Sequence, residues 1–261
     1  MLTHPLLPKL KELKLSGMLE TLPAREELAR TDGLSCAEFL ALLLEDEIDR
    51  RRQGKLLRAE QAAGFEKPRR LSQFDFAKAP SVSRSQVIEL FSCQFIVRHE
   101  NWLIYGPSGL GKSHLATALG FEALKQGMRV VCGQTHLLVA DLIGSRGTPM
   151  HQKRLNRLLA CDLLILDDFG LRLLPRSGGE ELYEIIRRRY ETGSIVLTSN
   201  RAPEEWPQVF GDSLLASAAL DRLTHHAHMT CVEGESFRQM ERRSRASEAS
   251  LDASDKKEGV H

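Results

Sequence analysis

The sequence predicts an α/β fold: a parallel sheet with helices on both faces, preceded by a small all-helical domain. Three observations predict it. Between about Val82 and Val232, short apolar runs alternate with helical stretches, the pattern of a sheet buried on both faces. The octet Gly106-Pro107-Ser108-Gly109-Leu110-Gly111-Lys112-Ser113 fits G-x-x-x-x-G-K-[ST] and stands between one such run, Trp102–Tyr105, and a helix. A further run, Leu163–Leu166, ends in the adjacent carboxylates Asp167 and Asp168. They fall at the carboxyl end of a strand, where open α/β sheets bind ligands.

In chain order, residues 6–22 read as one helix, with Leu7, Leu10 and Leu13 at helical spacing. Ser35 followed by Glu38 resembles a capping box, and Phe39, Leu40, Leu43, Leu44 and Ile48 give the next helix an apolar face. That helix runs on into a basic stretch. From Arg50 to Arg70 there are eight basic residues (Arg50, Arg51, Arg52, Lys55, Arg58, Lys67, Arg69, Arg70) against two acids, Glu60 and Glu66. On charge alone this is a candidate contact for a phosphate backbone and equally a solvated helix face. Residues 1–66 thus read as the helical domain, 67–81 as a linker containing Pro68 and Pro80, and 82–241 as the α/β domain. Strands are expected at Trp102–Tyr105, Val130–Cys132, Leu163–Leu166, Ile195–Thr198 and Met229–Val232, with helices at 114–126, 135–143 and 180–190. Residues 242–261, rich in Ser, Ala and charge, are expected to be disordered.

Composition narrows the class. The chain has 261 residues, 42% of them apolar, enough for one α/β domain and an appendage. No stretch approaches the ~20 uninterrupted apolar residues that span a bilayer, so no membrane association is expected. Met1-Leu2-Thr3-His4-Pro5 opens no secretory h-region, which makes the cytoplasm the expected location. The five cysteines lie far apart with no C-x-x-C, against a disulfide framework or a zinc site.

The octet has a direct chemical reading. Glycines at 106, 109 and 111 let the backbone curl so that successive N–H groups face an anion. His114 follows in a helix whose positive N-terminus points at the same anion. Lys112 supplies a point charge for β- and γ-phosphates, and the Ser113 hydroxyl can ligate Mg²⁺. ATP and Mg²⁺ are the expected occupants. Asp167 would hold Mg²⁺, directly or through water, and Asp168 would orient or deprotonate the attacking water. Asp168-Phe169-Gly170 also spells the kinase D-F-G, but without H-R-D-x-x-x-x-N or V-A-I-K it is a coincidence. The strand Ile195–Thr198 leads through Ser199 to Asn200, an amide placed to hydrogen-bond the γ-phosphate or the lytic water.

With these motifs, and with Leu220-Asp221-Arg222-Leu223, the chain resembles the AAA+ ATPases of the initiator and helicase-loader group. Three further segments resemble the IstB family of transposition helper ATPases, encoded beside the transposase in one class of bacterial insertion sequences. They are Phe39–Glu47, Asn200-Arg201-Ala202-Pro203-Glu204-Glu205-Trp206 and Leu220–His228. The likeness covers about residues 5–240. It implies a P-loop AAA+ core with a five-stranded parallel sheet in the order 5-1-4-3-2. It implies that Arg222 acts as an arginine finger on a neighbouring subunit's γ-phosphate, so that active sites form in trans within a homo-oligomer. It places Arg238 as a sensor-2-like arginine near the nucleotide.

Two departures accompany the likeness. Asp168 stands where many AAA+ proteins have Glu, one methylene longer, which points to slow hydrolysis. The chain ends soon after the fifth strand, which leaves little room for a helical lid and weakens the sensor-2 assignment. The function so implied is an ATPase that oligomerises on double-stranded DNA with little sequence preference, remodels the target, and recruits or stimulates the transposase of the same element. Hydrolysis would drive disassembly. A replicative helicase loader of the DnaC type and an ATP-gated DNA scaffold with very slow turnover are the alternatives. Among the remaining polar residues, Arg187-Arg188-Arg189 read as a helix surface, with DNA contact as the alternative, and Arg201, next to the sensor amide, as facing a neighbouring subunit or DNA. No cysteine or acid shares the spacing of His225, His226 and His228, so these read as a helix end near the sheet rather than as metal ligands.

Overall fold

The computed structural model describes residues 5–67 and 69–234. They fall into two compact units, divided between Gln61 and Ala62. No helix among the described residues is long and apolar enough to cross a membrane.

The first unit is helical. It comprises α1 (Leu6–Glu12), α2 (Ser16–Asp32) and most of α3 (Cys36–Ala63). The single helix expected over 6–22 is in fact two. Lys14 adopts φ 56° and the Leu15 N–H returns to the Leu10 carbonyl at 2.9 Å, which stops α1 and redirects the chain. The turn uses lysine where glycine is usual, so nothing in the residue types announces it. The capping box is present: Ser35 N donates to Glu38 Oε2 at 2.8 Å and Glu38 N to Ser35 Oγ at 3.3 Å. Met18, Leu22 and Leu43 form a small core, with Leu7, Leu10, Leu15 and Phe39 around it. Gly17 lies where α2 meets α3; a Cβ there would stand 2.7 Å from the Asp46 carbonyl oxygen. The buried Glu47 carboxylate accepts from Gly17 N at 2.7 Å, and Arg25 grips Asp46 through two bonds of 2.8 and 2.7 Å.

That fork holds the Asp46 carboxyl down to about 2, from a usual 3.8. A depressed carboxyl contributes stability above its unfolded value and loses it as the pH falls through the folded one. The stability gap between the wild-type chain and Asp46→Asn, present at neutral pH, is therefore expected to close between about pH 4 and about pH 2. Melting temperatures of the two proteins across that range check it; a gap independent of pH would assign the effect to packing.

In the second unit, two single-turn helices, Leu71–Gln73 and Phe76–Lys78, precede α4 (Arg84–Leu90) and α5 (Gln94–Val97). Then come β1 (Asn101–Tyr105), α6 (Lys112–Lys125), β2 (Val130–Gln134), α7 (Thr135–Ser145), α8 (Pro149–Ala160) and β3 (Leu163–Phe169). The chain continues through α9 (Arg176–Arg189), β4 (Ser194–Ser199), a 3₁₀ stretch Pro203–Phe210, α10 (Ser213–Thr224) and β5 (Ala227–Cys231). All five strands are parallel, in the order β2-β3-β4-β1-β5, which is the expected order read from the other edge.

Side chains alternate across the strands. Leu103, Leu164, Leu166, Ile195 and Leu197 enter a core shared with Val139, Leu142, Leu182, Ile186 and Ala219 from α7, α9 and α10. Trp102, Ile104, Ile165 and Val196, also fully buried, point to the other face, where Gly120 of α6 lies against Ile165. The sequence analysis sets no bounds for α4, α5, α8 and α10, although the starts of the last two are marked. Pro149 opens α8, and Asp212 caps α10 by accepting from Leu214 N and Leu215 N at 3.0 and 3.1 Å.

The triple Arg187-Arg188-Arg189 is not a uniform surface. Arg187 and Arg188 are exposed, but Arg189 is 1% exposed. Its guanidinium donates to the carbonyls of Leu158 and Cys161 at 2.8 and 2.9 Å and of Ser194 at 2.7 Å. It ties the end of α8 to the entrances of β3 and β4. The basic stretch on α3 is also less free than its count suggests: Arg50, Arg51 and Arg52 pair with Glu20, Glu47 and Asp49. The expected disorder of 242–261 concerns residues outside those described.

A candidate nucleotide site

The carboxyl edge of the sheet is where β1, β3 and β4 deliver their polar ends. After Tyr105 the chain turns through Gly106, Gly109 and Gly111 at φ 133°, 83° and 85°, conformations that only glycine enters without strain. Gly106 is held most tightly. Its N–H donates to the Ser199 carbonyl at 3.2 Å, and a Cβ would come within 2.2 Å of the Val232 carbonyl oxygen. Leu110 is buried and anchors the loop, while Pro107 and Ser108 are exposed at its tip. Gly111 caps α6, which begins at Lys112 and brings its N-terminal N–H groups into the concavity. Lys112 is 5% exposed and its Nζ donates to the carbonyls of Gly106 and Pro107 at 2.7 and 2.6 Å. The ammonium therefore sits inside the loop. His114 turns away: its Nε2 lies 2.9 Å from the Arg70 carbonyl and its ring packs edge-on against Phe74. Burial, with the Arg69 charge nearby, pushes this imidazole below its usual value. What His114 offers an anion is its backbone N–H.

Asp167 is where three elements meet. Ser113 Oγ donates to Asp167 Oδ1 at 2.8 Å, the Thr198 hydroxyl bonds the same oxygen, and Thr135 Oγ1 donates to the Asp167 carbonyl at 2.9 Å. Thr198 also accepts from Asp168 N at 3.1 Å, across an irregularity in the β3–β4 register between Leu166 and Phe169. Asp168 itself has φ 51°, a left-handed conformation that Asp tolerates better than Glu. The shorter acid noted in the sequence thus fits the backbone that carries it.

Beyond β4 a second cluster joins the loops. Ser199 Oγ donates to the Phe169 carbonyl at 2.9 Å and accepts from Arg201 N at 3.0 Å and Trp206 Nε1 at 3.2 Å. Arg201 Nε donates to the Gly170 carbonyl at 2.6 Å, so this side chain braces the loop after Asp168. Asn200 follows β4 as an exposed residue at the same edge.

The geometry therefore brings Gly106–Ser113, Asp167, Asp168 and Asn200 to one edge. Arg222 is not among them. It is near the end of α10, whose next residue, Leu223, accepts through its carbonyl from Asn101 Nδ2 at 3.0 Å, at the opening end of β1. The whole of β1, roughly 15 Å of strand, separates it from its own phosphate loop. Arg222 Nη1 donates to the Ala218 carbonyl at 2.6 Å and the guanidinium stands 5.8 Å from the Tyr183 ring centre. Arg238 lies outside the described residues. Thr198 is a site member that no motif singles out; its hydroxyl lies two residues before the amide that follows the strand.

A hydroxyl and a carboxylate 2.8 Å apart, beside a loop whose first glycine admits no side chain, fit a triphosphate with a hard divalent cation. Comparisons agree on the nucleotide. The family of IstB-like ATP binding proteins matches residues 8–246. The insertion sequence IS5376 protein of Geobacillus stearothermophilus is 37% identical over 231 residues, 88% of this chain and 92% of its own length. The insertion sequence IS21 protein of Pseudomonas aeruginosa is 37% identical over 240 residues, 92% of this chain and 91% of its own. Both are named for an expected binding of ATP. Among solved structures, AMPPCP-bound DnaA from Aquifex aeolicus superposes with a TM-score of 0.55 at 25% identity over 65% of this chain, which spans about half (52%) of that DnaA chain. DnaI gives 0.55 at 19% identity, covering 63% of this chain and 91% of its own, a likeness of fold.

Proposed function

The chain belongs to the IstB-like ATP-binding protein family, and from that premise we propose that it is an AAA+ ATPase that assembles in copies on double-stranded DNA and recruits or stimulates the transposase of its insertion sequence. The observation that carries the reading is the separation just described: four site elements share one sheet edge while Arg222 occupies the other. An arginine so placed serves a triphosphate held by a second copy.

Loop N–H groups and Lys112 bind the phosphate oxygens, the ammonium exchanging loop carbonyls for them. Ser113 and Asp167 would hold Mg²⁺, which when bound neutralises charge on the β- and γ-oxygens. Asp168 orients the attacking water and accepts its proton on the carboxylate, and Asn200 fixes water or γ-phosphate from the next strand. Arg222 of the adjoining copy neutralises the charge that develops, an effect of about 10³–10⁵ in rate. Hydrolysis then releases the copies from DNA. On α3, Lys55 and Arg58 are exposed cations suited to phosphate contact. The insertion-sequence relatives support a transposase as the protein partner.

Arg222→Ala is expected to keep nucleotide binding and to lose DNA-stimulated turnover by about 10³-fold. Mixing it with a Lys112→Ala protein should restore turnover, because the loop of the first then meets the arginine of the second. Wild-type turnover in Arg222→Ala alone would remove this residue from the mechanism. Intact nucleotide binding with no turnover in the wild-type protein, even with duplex and transposase, would leave a nucleotide-gated scaffold in place of an ATPase.

A further inference from the structure

The fold supplies the acid that the histidine run lacks in sequence. Glu191, just past the end of α9, meets His225 and His226, which follow α10, and one ligand atom from each lies within 4.8 Å of the others. All three are exposed. The His225 and His226 ring centres are 4.0 Å apart, and His225 Nδ1 is hydrogen-bonded to the Tyr190 hydroxyl at 2.8 Å. Beside them lies a cavity of about 10 Å³, bounded by His99, Tyr190, Glu191, Arg222 and His226.

We propose that Glu191, His225 and His226 form a binding site for a borderline divalent transition ion of the Zn²⁺ class. Two imidazoles and one carboxylate are the donor set such ions select over Mg²⁺ or Ca²⁺, which prefer all-oxygen shells. Metal–ligand bonds of about 2.0–2.2 Å need these exposed side chains to close by about 1 Å, within the reach of rotamer adjustment. Tyr190 supplies the outer contact that such sites use: with Nδ1–H of His225 donating to the hydroxyl, Nε2 is left for the metal. The fourth position stays open to water. Arg189 and Arg222 also line the cavity, but their guanidiniums are engaged by the carbonyls of Cys161, Ser194 and Ala218. The positive charge behind the site makes the ion exchangeable rather than permanent. Bound metal would clamp the end of α9 to the end of α10. Within one chain the site lies apart from the nucleotide edge, and its test reads metal binding alone.

Zn²⁺ titrated calorimetrically into the full chain should bind at one site per chain. Glu191→Gln together with His225→Asn should weaken that site by at least about 10–100-fold, and Tyr190→Phe by about 10-fold. Asp167→Asn should leave it unchanged. With Zn²⁺ about a hundredfold above its dissociation constant, the wild-type melting temperature should rise by about 5–10 °C and that of the double variant should not. The Co²⁺ adduct should show no thiolate charge-transfer absorption. Equal Zn²⁺ affinity in wild type and double variant, or a thiolate band in the Co²⁺ spectrum, overturns the proposal. If the double variant fails to fold, the exposed single change Glu191→Gln decides by the same criterion.

Discussion

Exchange of Arg189 for methionine is expected to destabilise the chain by about 3–5 kcal/mol, because it takes a charged donor from several buried carbonyls at once, of which Leu158 O and Asp162 O keep Cys161 Sγ and Ser194 N. The guanidinium donates to Leu158, Cys161 and Ser194, with further contacts to Leu159 and to Asp162 O. Methionine fills the volume and returns none of these bonds. Each buried acceptor left without a donor costs about 1–3 kcal/mol. Lysine should fare little better, since its compact ammonium cannot fork between strands that a planar guanidinium spans. Gly193 belongs to the same device: a Cβ there would stand 2.7 Å from Nη2 of Arg189, so Gly193→Ala should have a smaller effect of the same sign. Urea unfolding of the three variants checks the order. A methionine variant within about 0.5 kcal/mol of wild type, the ordinary range of surface substitutions, would show that Arg189 behaves as its exposed neighbours do.

Lys112→Ala carries the second large effect. Loss of the ammonium removes the point charge of the phosphate loop and leaves the Gly106 and Pro107 carbonyls without their donor. ATP turnover is expected to fall by on the order of 10²–10³-fold, the effect of deleting one preorganised charge-stabilising donor, with nucleotide affinity falling alongside. Stability should change far less than in Arg189→Met, because the loop carbonyls are at the surface edge where water can reach them. Turnover and binding of a fluorescent ATP analogue, measured on the same preparation, separate the two effects. Wild-type turnover would mean that the loop does not hold the reacting phosphates.

Much of this is legible in the sequence, and the parts that are not have physical reasons. The strands were readable because a parallel sheet buries both faces, so Leu163–Leu166 and Ile195–Leu197 appear as unbroken apolar runs. The phosphate loop was readable because its three left-handed positions demand glycine. Lys14 takes the same conformation without glycine, and the break between α1 and α2 went unseen. Arg189 did leave a signal. Leu182, Ile185, Ile186 and Arg189 follow one face of α9, so helical periodicity places it inward against the usual exposure of a charge. Thr198 was hidden by rank: an amide at the strand's end drew attention from the hydroxyl that touches both aspartates. Glu191 and His225 are brought together only by the packing of α9 against α10, which no local pattern encodes.

The indole of Trp206 has a practical consequence. It is 1% exposed, lies against Phe169 and Tyr105, and donates to Ser199, the residue that fastens the segment after Asp168 to the segment after Asn200. The chain has one other tryptophan, Trp102, locked within β1 by its bond to Thr230 at 2.9 Å. Intrinsic emission from this protein therefore contains one steady background source and one whose quantum yield and colour report on that junction. Events at that junction can be followed optically on the unlabelled polypeptide.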